Sequence, residues 1–489
     1  MSDNRLPIPA EGLQLNFCKT LACENFGSSN PHDYIFQHQD PTRPTMVCRK
    51  CGAFPPLLNN HQVLLESLRL KELHHDGVPS CRNQSCTNHN LPVYTHKHLY
   101  HAFGFSGDRQ RYRCKQCQAT FVDKWSGENP KNHLQQQILA MLFTGYSVRE
   151  ICRKVDIKPK TFYDHLQHIA SRCRRRLANF DARWLQKTKH YVMASNYSKL
   201  QPNSDNGVFW LVTGEANSGY IYRQHINYSA NDLATGNADH DPYQDNASVL
   251  ARDYQVNALP ESNKTADSLL ERVELQYQAI LARNNVESPL GDLTRFHYPS
   301  IGVLIRPQYT SYAHYLNVLE TCDENKRLSL FMPQDPLLRS AALSICKNRI
   351  LQGRVDLMYV CEDPLWDKDR AIEKIDVVHM GWWRDRWGMA NQEQAEKGVC
   401  YLAGDNPNLD KWLQNASITA ILFYQQRFQS LFQAFINEPR RRLRPGGLLP
   451  LLDIFQAWHN LCYQDKNGQT AAQKLGLCQH AMTLEELLS

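Results

Sequence analysis

Half of the cysteines in this chain form close pairs whose spacing is typical of metal ligands. The chain has 16 cysteines, of which eight form four pairs before residue 118 and eight are scattered singly. In each half of this region, a pair separated by four residues precedes a pair separated by two, after a gap of 24 or 27 residues. The two quartets are Cys18, Cys23, Cys48 and Cys51, and Cys81, Cys86, Cys114 and Cys117.

Four thiolates on two turns can converge on one tetrahedral zinc ion, with each sulfur about 2.3 Å from the metal. A closed shell of four sulfurs leaves no position for water, so such an ion is structural rather than catalytic. Modules of this size need the free energy of metal binding in order to fold. We therefore predict two structural Zn2+ sites, and the alternative is a set of buried free cysteines.

Residues beside the cysteines recur as well, which indicates an internal duplication. Cys18–Asn25 reads CKTLACEN and Cys81–Asn88 reads CRNQSCTN, and corresponding cysteines lie 63 to 66 residues apart. We predict a first zinc ribbon at 10–60 and a second at 75–125. Short strands must position the two cysteine-bearing turns of each ribbon, because a ribbon of this kind has little other structure.

A strongly basic segment follows the cysteines. Between Arg149 and Lys189 the chain has twelve basic and four acidic side chains, whereas all 489 residues together carry a net charge of only +6. This local excess indicates contact with a polyanion. The overall composition, with 42% hydrophobic and 21% charged residues, excludes a largely disordered chain.

Apolar residues at helical spacing predict three helices within 130–186. Ser147 and Glu150 fit a capping box, and Pro159 suits the first position of the third helix. Two short helices joined by a tight turn are typical of a helix-turn-helix, and a helical linker with a solvated charged face is the alternative. The candidate DNA-binding residues are Lys158, Lys160, Thr161, Tyr163, Arg172, Arg174, Arg175 and Arg176.

The segment Arg111–Phe121, RYRCKQCQATF, resembles the zinc ribbon of bacterial insertion-sequence transposases. In that family the ribbon precedes a helix-turn-helix, and the first ribbon of this chain is similar to it in a looser way. The resemblance implies double-stranded DNA as the partner and a homo-oligomer as a possible assembly.

From Tyr191 the pattern becomes mixed α/β. A meander of strands, followed by strands that alternate with helices, fits an RNase H-like domain at 188–480 with an insertion at about 231–290. The fold class is therefore α/β, with two zinc ribbons and a helix-turn-helix before an RNase H-like domain. The predicted strands are Tyr191–Ala194, Val208–Thr213, Gly219–Ile226, Ile301–Ile305, Leu328–Phe331 and Val355–Val360.

Two further segments are similar to the same transposases. Leu451–Leu477 resembles their C-terminal signature, and Pro333–Ile350 resembles the segment that bears the second catalytic acid. The resemblance implies Asp335 as a catalytic residue. Transposases of this kind use two Asp and one Glu because Mg2+ prefers oxygen ligands and two metal ions act on the attacking and leaving oxygens.

Two acidic positions of that pattern are not acidic here. Asn196 lies at or near the position of the first Asp, and the helix that should supply the Glu reads Phe423-Tyr424-Gln425-Gln426-Arg427. An amide is a neutral and weaker metal ligand, so we expect a degenerate centre that binds Mg2+ only if other acids complete it. The acids that could do so, each otherwise an ordinary surface carboxylate, are Glu215, Glu362, Asp363 and Asp385.

The sequence thus predicts a zinc-containing, transposase-like DNA-binding protein with a degenerate catalytic centre. One alternative is an active transposase that performs Mg2+-dependent strand transfer, and another is a domesticated transcription regulator or defence component. No apolar run reaches the roughly 18 residues of a membrane span, and the first residues lack the pattern of a signal peptide. We therefore expect a cytoplasmic protein without a membrane partner.

Overall fold

A computed structural model of the protein describes residues 6–489 except 38–44, 55–56, 125–130, 203, 205, 231–265, 267, 284–298, 300, 382, 405–407 and 438–441. Most of the insertion predicted at 231–290 therefore lies outside the described residues. Among the helices that are described, none has the length and apolar composition of a transmembrane segment.

Two small modules with matching strand registers form the N-terminal part. Tyr34 lies opposite Cys48 in the first module, as Tyr100 lies opposite Cys114 in the second, so the duplication extends to backbone pairing. Each module encloses a small apolar cluster that is separate from the main core. The elements of the modules and of the helix between them are β1 (Tyr34–Gln37), β2 (Thr45–Cys48), α1 (Asn60–His75), β3 (Tyr100–Ser106), β4 (Arg109–Cys114) and β5 (Thr120–Val122).

Three helices follow the second module, as the sequence predicts. Ser147 and Glu150 form the predicted capping box at the start of the second helix, and Pro159 is the first residue of the third. The turn between them contains Asp156 at a φ of 52°, in the left-handed region that Asp tolerates better than most residues. The helices are α2 (Asn132–Phe143), α3 (Val148–Lys154) and α4 (Pro159–Lys187).

The rest of the chain alternates strands and helices. Its first elements are β6 (His190–Leu200), β7 (Val208–Glu215), β8 (Ile221–Ile226), β9 (Tyr228–Ser229), α5 (Leu269–Leu281), β10 (Val303–Leu304), α6 (Pro307–Leu319), β11 (Arg327–Met332), α7 (Pro336–Ile345), α8 (Lys347–Leu351) and β12 (Val355–Glu362). Its last elements are β13 (Lys374–Met380), β14 (Asp385–Gln392), β15 (Ala395–Ala403), α9 (Leu409–Asn415), α10 (Thr419–Leu431), α11 (Gln433–Ile436), α12 (Pro445–Leu461), α13 (Ala471–Lys474) and α14 (Leu484–Leu488).

Eight of these strands form one mixed sheet, in the order β13-β14-β15-β12-β11-β6-β7-β8. Strands β6, β7 and β8 form an antiparallel meander, and β11 runs parallel to both β6 and β12. The mixed α/β class is therefore confirmed. The predicted strand Ile301–Ile305 is corrected, because only β10 forms there and it pairs with β9 outside the main sheet.

Helices cover both the sheet and one another. Helix α10 contacts β6 and β7, α6 contacts β7 and β8, and α4 packs along α12. The apolar side chains of α2, α3 and α4 belong to the same continuous core as those of the sheet. The basic helix is thus built into the body of the protein for much of its length.

Candidate metal centres and nucleic-acid interface

The first cysteine quartet converges on a single point. The Sγ atoms of Cys18 and Cys51 are 3.4 Å apart, and those of Cys23 and Cys48 are 3.8 Å apart. One ligand atom from each of the four residues lies within 4.8 Å of the others. Sulfurs bound to one tetrahedral zinc ion at 2.3 Å are about 3.8 Å from each other, so this quartet can hold a zinc ion.

The second quartet repeats this geometry. Cys81 and Cys117 have Sγ atoms 3.5 Å apart, Cys86 and Cys114 have Sγ atoms 3.8 Å apart, and all four sulfurs gather within 4.8 Å. Both predicted ligand sets are therefore compatible with zinc, as the chemistry of four thiolates requires.

An asparagine supports each quartet from the same relative position. Asn25 donates from Nδ2 to Cys48 Sγ at 3.4 Å, and Asn88 donates from Nδ2 to Cys114 Sγ at 3.4 Å. Each of these residues also donates its backbone N–H to the sulfur of the cysteine two residues earlier, at 3.4 Å. The sequence carries the signal for this role, since a Cys-x-Asn triplet occurs in both modules.

These donors favour the thiolate form of the acceptor cysteine. Burial raises the pKa of Cys114, but backbone N–H groups of Cys117 and Gln116 and the Asn88 amide outweigh it and bring the pKa to about 6. Burial likewise raises the pKa of Cys48, and the donors around it bring the net value to about 7. Metal binding requires thiolates, and burial raises the pKa of Cys18 and of Cys81, so the donors favour the thiolate form at only part of each quartet.

The first turn of α4 presents basic and polar side chains to solvent. Lys158, Lys160 and Thr161 are exposed, and the ring of Tyr163 has an exposed fraction of 39%. Within the described part of the chain, neither lysine pairs with a carboxylate. Phe162 lies in the same turn and its side chain is buried in the core, which anchors the turn that carries these exposed side chains.

The basic run further along α4 has a different environment. Arg174 is bound on both sides by carboxylates, those of Asp76 and Asp453. Arg172 donates to the carbonyl oxygen of Leu488 at 2.7 Å, and the exposed fractions of Arg172 and Arg174 are only 5% and 6%.

The two following arginines also have partners within the chain. Arg175 Nε lies 2.8 Å from an Asp123 carboxylate oxygen, and Arg176 donates to the carbonyl oxygen of Glu486 at 2.7 Å. Partners within the chain thus already bind the four arginines of the predicted DNA-binding set, Arg172, Arg174, Arg175 and Arg176. Their guanidinium groups hold α4 to the second module, to α12 and to the C-terminal helix.

Asp335 caps α7 and is bound within the chain. Its Oδ1 accepts the backbone N–H of Leu337 at 2.9 Å, and its Oδ2 lies 3.0 Å from Arg283 Nη1. The same oxygen accepts the hydroxyl of Tyr197 at 2.7 Å. Asp335 has an exposed fraction of 1%, and its carboxylate forms an ion pair and a helix cap.

The two amides that replace the expected acids contact each other. Asn196 on β6 donates from Nδ2 to Oε1 of Gln425 on α10 at 2.6 Å, and both side chains are buried. Successive side chains of a strand point to opposite faces, so Asn196 and its neighbour Tyr197 do not share a face. Since Tyr197 binds Asp335, the amide pair and Asp335 are held by opposite sides of β6.

The other acids considered for a catalytic centre are occupied elsewhere. Glu362 accepts from the hydroxyl of Thr419 at 2.6 Å and pairs with Lys397, and Glu215 accepts the backbone N–H of Ser218 at 2.6 Å. Asp363 and Asp385 bind Arg272 and Arg339, respectively. Among the described residues, the two cysteine quartets alone gather three or more metal-ligating side chains within 4.8 Å.

The fold and these sites define a mixed α/β protein with two tetracysteine modules. The sequence matches no known protein-family model, and no curated protein matches it. The geometry of the chain itself therefore carries the functional interpretation.

Proposed function

We propose that the protein is a zinc-containing, transposase-like protein that binds double-stranded DNA without cutting it. In this proposal α3, the turn and α4 form a helix-turn-helix, and the large sheet is RNase H-like. The strand order supports the second part, because a three-stranded meander is followed by two parallel strands, β11 and β12. The three antiparallel strands β13, β14 and β15 extend that arrangement.

The observation that carries DNA binding is the exposed first turn of α4. A recognition helix places its N-terminal residues against base edges while the preceding helix crosses the backbone. Lys158, Lys160 and Thr161 lie at this end and are exposed, after a helix that is held by a complete capping box. The buried ring of Phe162 anchors this turn to the core, which lowers the entropy lost on binding.

The amide pair supports the absence of cleavage. Asn196 and Gln425 satisfy each other at 2.6 Å at the positions where the transposase pattern has carboxylates. A two-metal mechanism needs several oxygen anions around one point, whereas this point offers two neutral amides. Asp335 adds no charge there, because Arg283 neutralises it. We propose that such a centre serves the fold and leaves DNA intact.

Binding of a labelled mixed-sequence duplex, followed by fluorescence anisotropy, tests the proposal. Replacing Lys158 and Lys160 with Gln should weaken binding and reduce its dependence on salt by about 0.9 logarithmic unit for each phosphate that the variant no longer neutralises. The matched control replaces Lys368 and Lys466, which are exposed and have no carboxylate partner within the described residues, and should leave affinity nearly unchanged. Equal losses of duplex affinity in the two variants would show that only the net charge of the protein matters, and would contradict the proposed interface.

Cleavage is tested separately with supercoiled DNA and Mg2+ or Mn2+. We expect no nicking by the wild type and none by Asp335→Ala. Nicking that disappears in Asp335→Ala would instead establish the active transposase as the function.

A further inference from the structure

The outer face of the second zinc module has an unusual surface. Strand β3 is exposed at every residue after Tyr100, on both of its faces. Alternate residues of a strand share a face, so Arg109, Arg111 and Arg113 of β4 lie together. We call the face formed by His101, Phe103, Arg109, Arg111 and Arg113 the basic ribbon face.

Ring contacts order the arginines of this face, of which Arg109 is exposed and Arg111 and Arg113 are half-buried. Arg113 stacks on the ring of Phe103, with its guanidinium carbon 3.6 Å from the ring centroid, and the guanidinium carbon of Arg111 lies 5.5 Å from the same centroid. Stacking fixes the plane of a guanidinium while leaving its edge N–H groups available for binding. Within the described part of the chain, none of the three arginines pairs with a carboxylate.

The first module provides an internal comparison. Ile35 pairs with Val47 at the register position where His101 pairs with Arg113 in the second module. Val47 and Thr45 occupy the positions that correspond to Arg113 and Arg111. The ribbon fold itself therefore does not require arginine at the positions of Arg111 and Arg113, and the presence of these two residues in the second copy alone points to a ligand.

We propose that the basic ribbon face binds the sugar-phosphate backbone of duplex DNA, beside the site contacted by the first turn of α4. This inference rests on the proposed function. Three guanidinium groups on one surface complement a polyanion, and Arg matches phosphate oxygens in a bidentate geometry. The module is fixed to α4, because Asp123 at the end of β5 pairs with Arg175. This ion pair therefore fixes the ribbon relative to the helix that carries Lys158 and Lys160.

The exposed tip of the hairpin is consistent with this role. Phe105, with an exposed fraction of 65%, lies opposite Gln110 near the end of β3, one register position before the pair of Ser106 and Arg109. A two-stranded β-ribbon fits into the major groove of B-form DNA, where an apolar side chain can contact a thymine methyl group. An acidic protein would match the charge of the face, but it would not produce the release of counterions that duplex binding requires.

The experiment measures the salt dependence of duplex binding between about 50 and 200 mM salt. Arg111→Gln with Arg113→Gln should lower the slope of log K against log salt by about 1.8 and weaken binding by roughly tenfold or more, because each neutralised phosphate contributes about 0.9 to the slope. The control, Lys97→Gln with Lys115→Gln, removes the same charge from exposed positions of the module outside β4. Its slope should remain close to that of the wild type.

Native mass spectrometry checks that the substitutions leave the modules folded, because both variants should retain two zinc ions. Hydroxyl-radical footprinting should show that the Arg111 and Arg113 variant loses protection at one flank of the site. An unchanged slope and footprint in this variant, with a reduced slope in Lys158→Gln with Lys160→Gln, would overturn the inference and leave the proposed function intact. A wild-type protein that binds no duplex would overturn both.

Discussion

Replacing Arg174 with Ala separates a structural role of the basic run from a DNA-binding role. In the folded protein this guanidinium donates to the carboxylates of Asp76 and Asp453, to the carbonyl oxygen of Asp76 at 2.7 Å and to the hydroxyl of Ser171 at 3.1 Å. Four acceptors surround this guanidinium group, so few of its N–H groups remain to bind a phosphate. The variant should therefore lose stability, while its intrinsic affinity for DNA remains.

The magnitude follows from the environment of the two acids. Removing one partner of a buried ion pair costs about 3–5 kcal/mol, because the other charge is left without compensation. Asp453 and Asp76 keep exposed side-chain fractions of 22% and 61%, so water compensates part of the loss. We expect a decrease of about 3 kcal/mol in the free energy of unfolding, at the lower end of that range.

The loss should depend on pH with a definite sign. Burial raises the pKa of Asp453, and Arg174 lowers it, so the pKa of Asp453 rises further in the variant. A folded carboxyl group with a raised pKa binds protons more readily than the unfolded one, so stability falls as pH rises above the unfolded pKa of about 3.9. The deficit of the variant should thus be smaller at a pH of about 5 than at neutral pH.

Urea unfolding of the wild type, Arg174→Ala and Arg174→Ala with Asp453→Asn gives the test. The second substitution removes the stranded carboxylate and should restore part of the missing stability. Duplex binding at temperatures where all three proteins are folded should show equal salt slopes. A variant with unchanged stability and a reduced slope would refute the structural role of Arg174.

Three further outcomes are expected. Cys114→Ser should leave one zinc ion in native mass spectrometry and disorder the second module while the main sheet persists, because the apolar cluster of this module is separate from the main core. Asn196→Ala should lower the free energy of unfolding by about 1–3 kcal/mol without changing DNA affinity, because the buried amide of Gln425 loses its partner. His459 should remain neutral, because Arg427 donates to its Nδ1 and burial brings its pKa to about 3. Its contribution is present above a pH of about 6.5 and is lost as pH falls towards the folded pKa, so His459→Gln should flatten the stability decrease in urea titrations between pH 6.5 and 5 by up to about 1.4 kcal/mol per pH unit.

The two cysteine quartets could be predicted because their signal is local. Each pair lies on one turn, and the spacing of Cys18 to Cys23 and of Cys48 to Cys51 repeats in the second module. The helix boundaries around Ser147 and Pro159 were predictable for the same reason, since capping depends on residues within one turn.

The partners of the arginines could not be predicted in this way. A basic run suggests a polyanion contact even when acids far away in the sequence neutralise it in the fold. Asp453, which binds Arg174, lies 279 residues after it. The same limit applies to Gln425, which is 229 residues from Asn196. The sequence marks Asn196 and the run 423–427 as departures from an acidic pattern, but only the fold shows that Asn196 binds Gln425.

The C-terminal motif illustrates a third case, in which a resemblance has a structural explanation. Asn460, within the segment that resembles the transposase signature, accepts the backbone N–H of Ile221 and donates to its carbonyl oxygen, both at 2.8 Å. Strand β8 is at the edge of the sheet, and this side chain occupies backbone groups that would otherwise be open for pairing. Asn460 therefore has a role in folding that does not depend on an active catalytic centre.

Helix α4 connects the parts of the molecule that the proposal assigns to DNA. Its first turn carries Lys158 and Lys160, and its middle binds the second module through Arg175 and Asp123. Loss of zinc from that module would release Asp123, which has an exposed fraction of only 2%, and would leave Arg175 without its carboxylate. Because one helix holds both surfaces, a zinc ion that folds the ribbon would, under this proposal, also set the separation of the two proposed DNA contacts. Zinc removal should therefore weaken duplex binding more than substitution of the ribbon arginines alone.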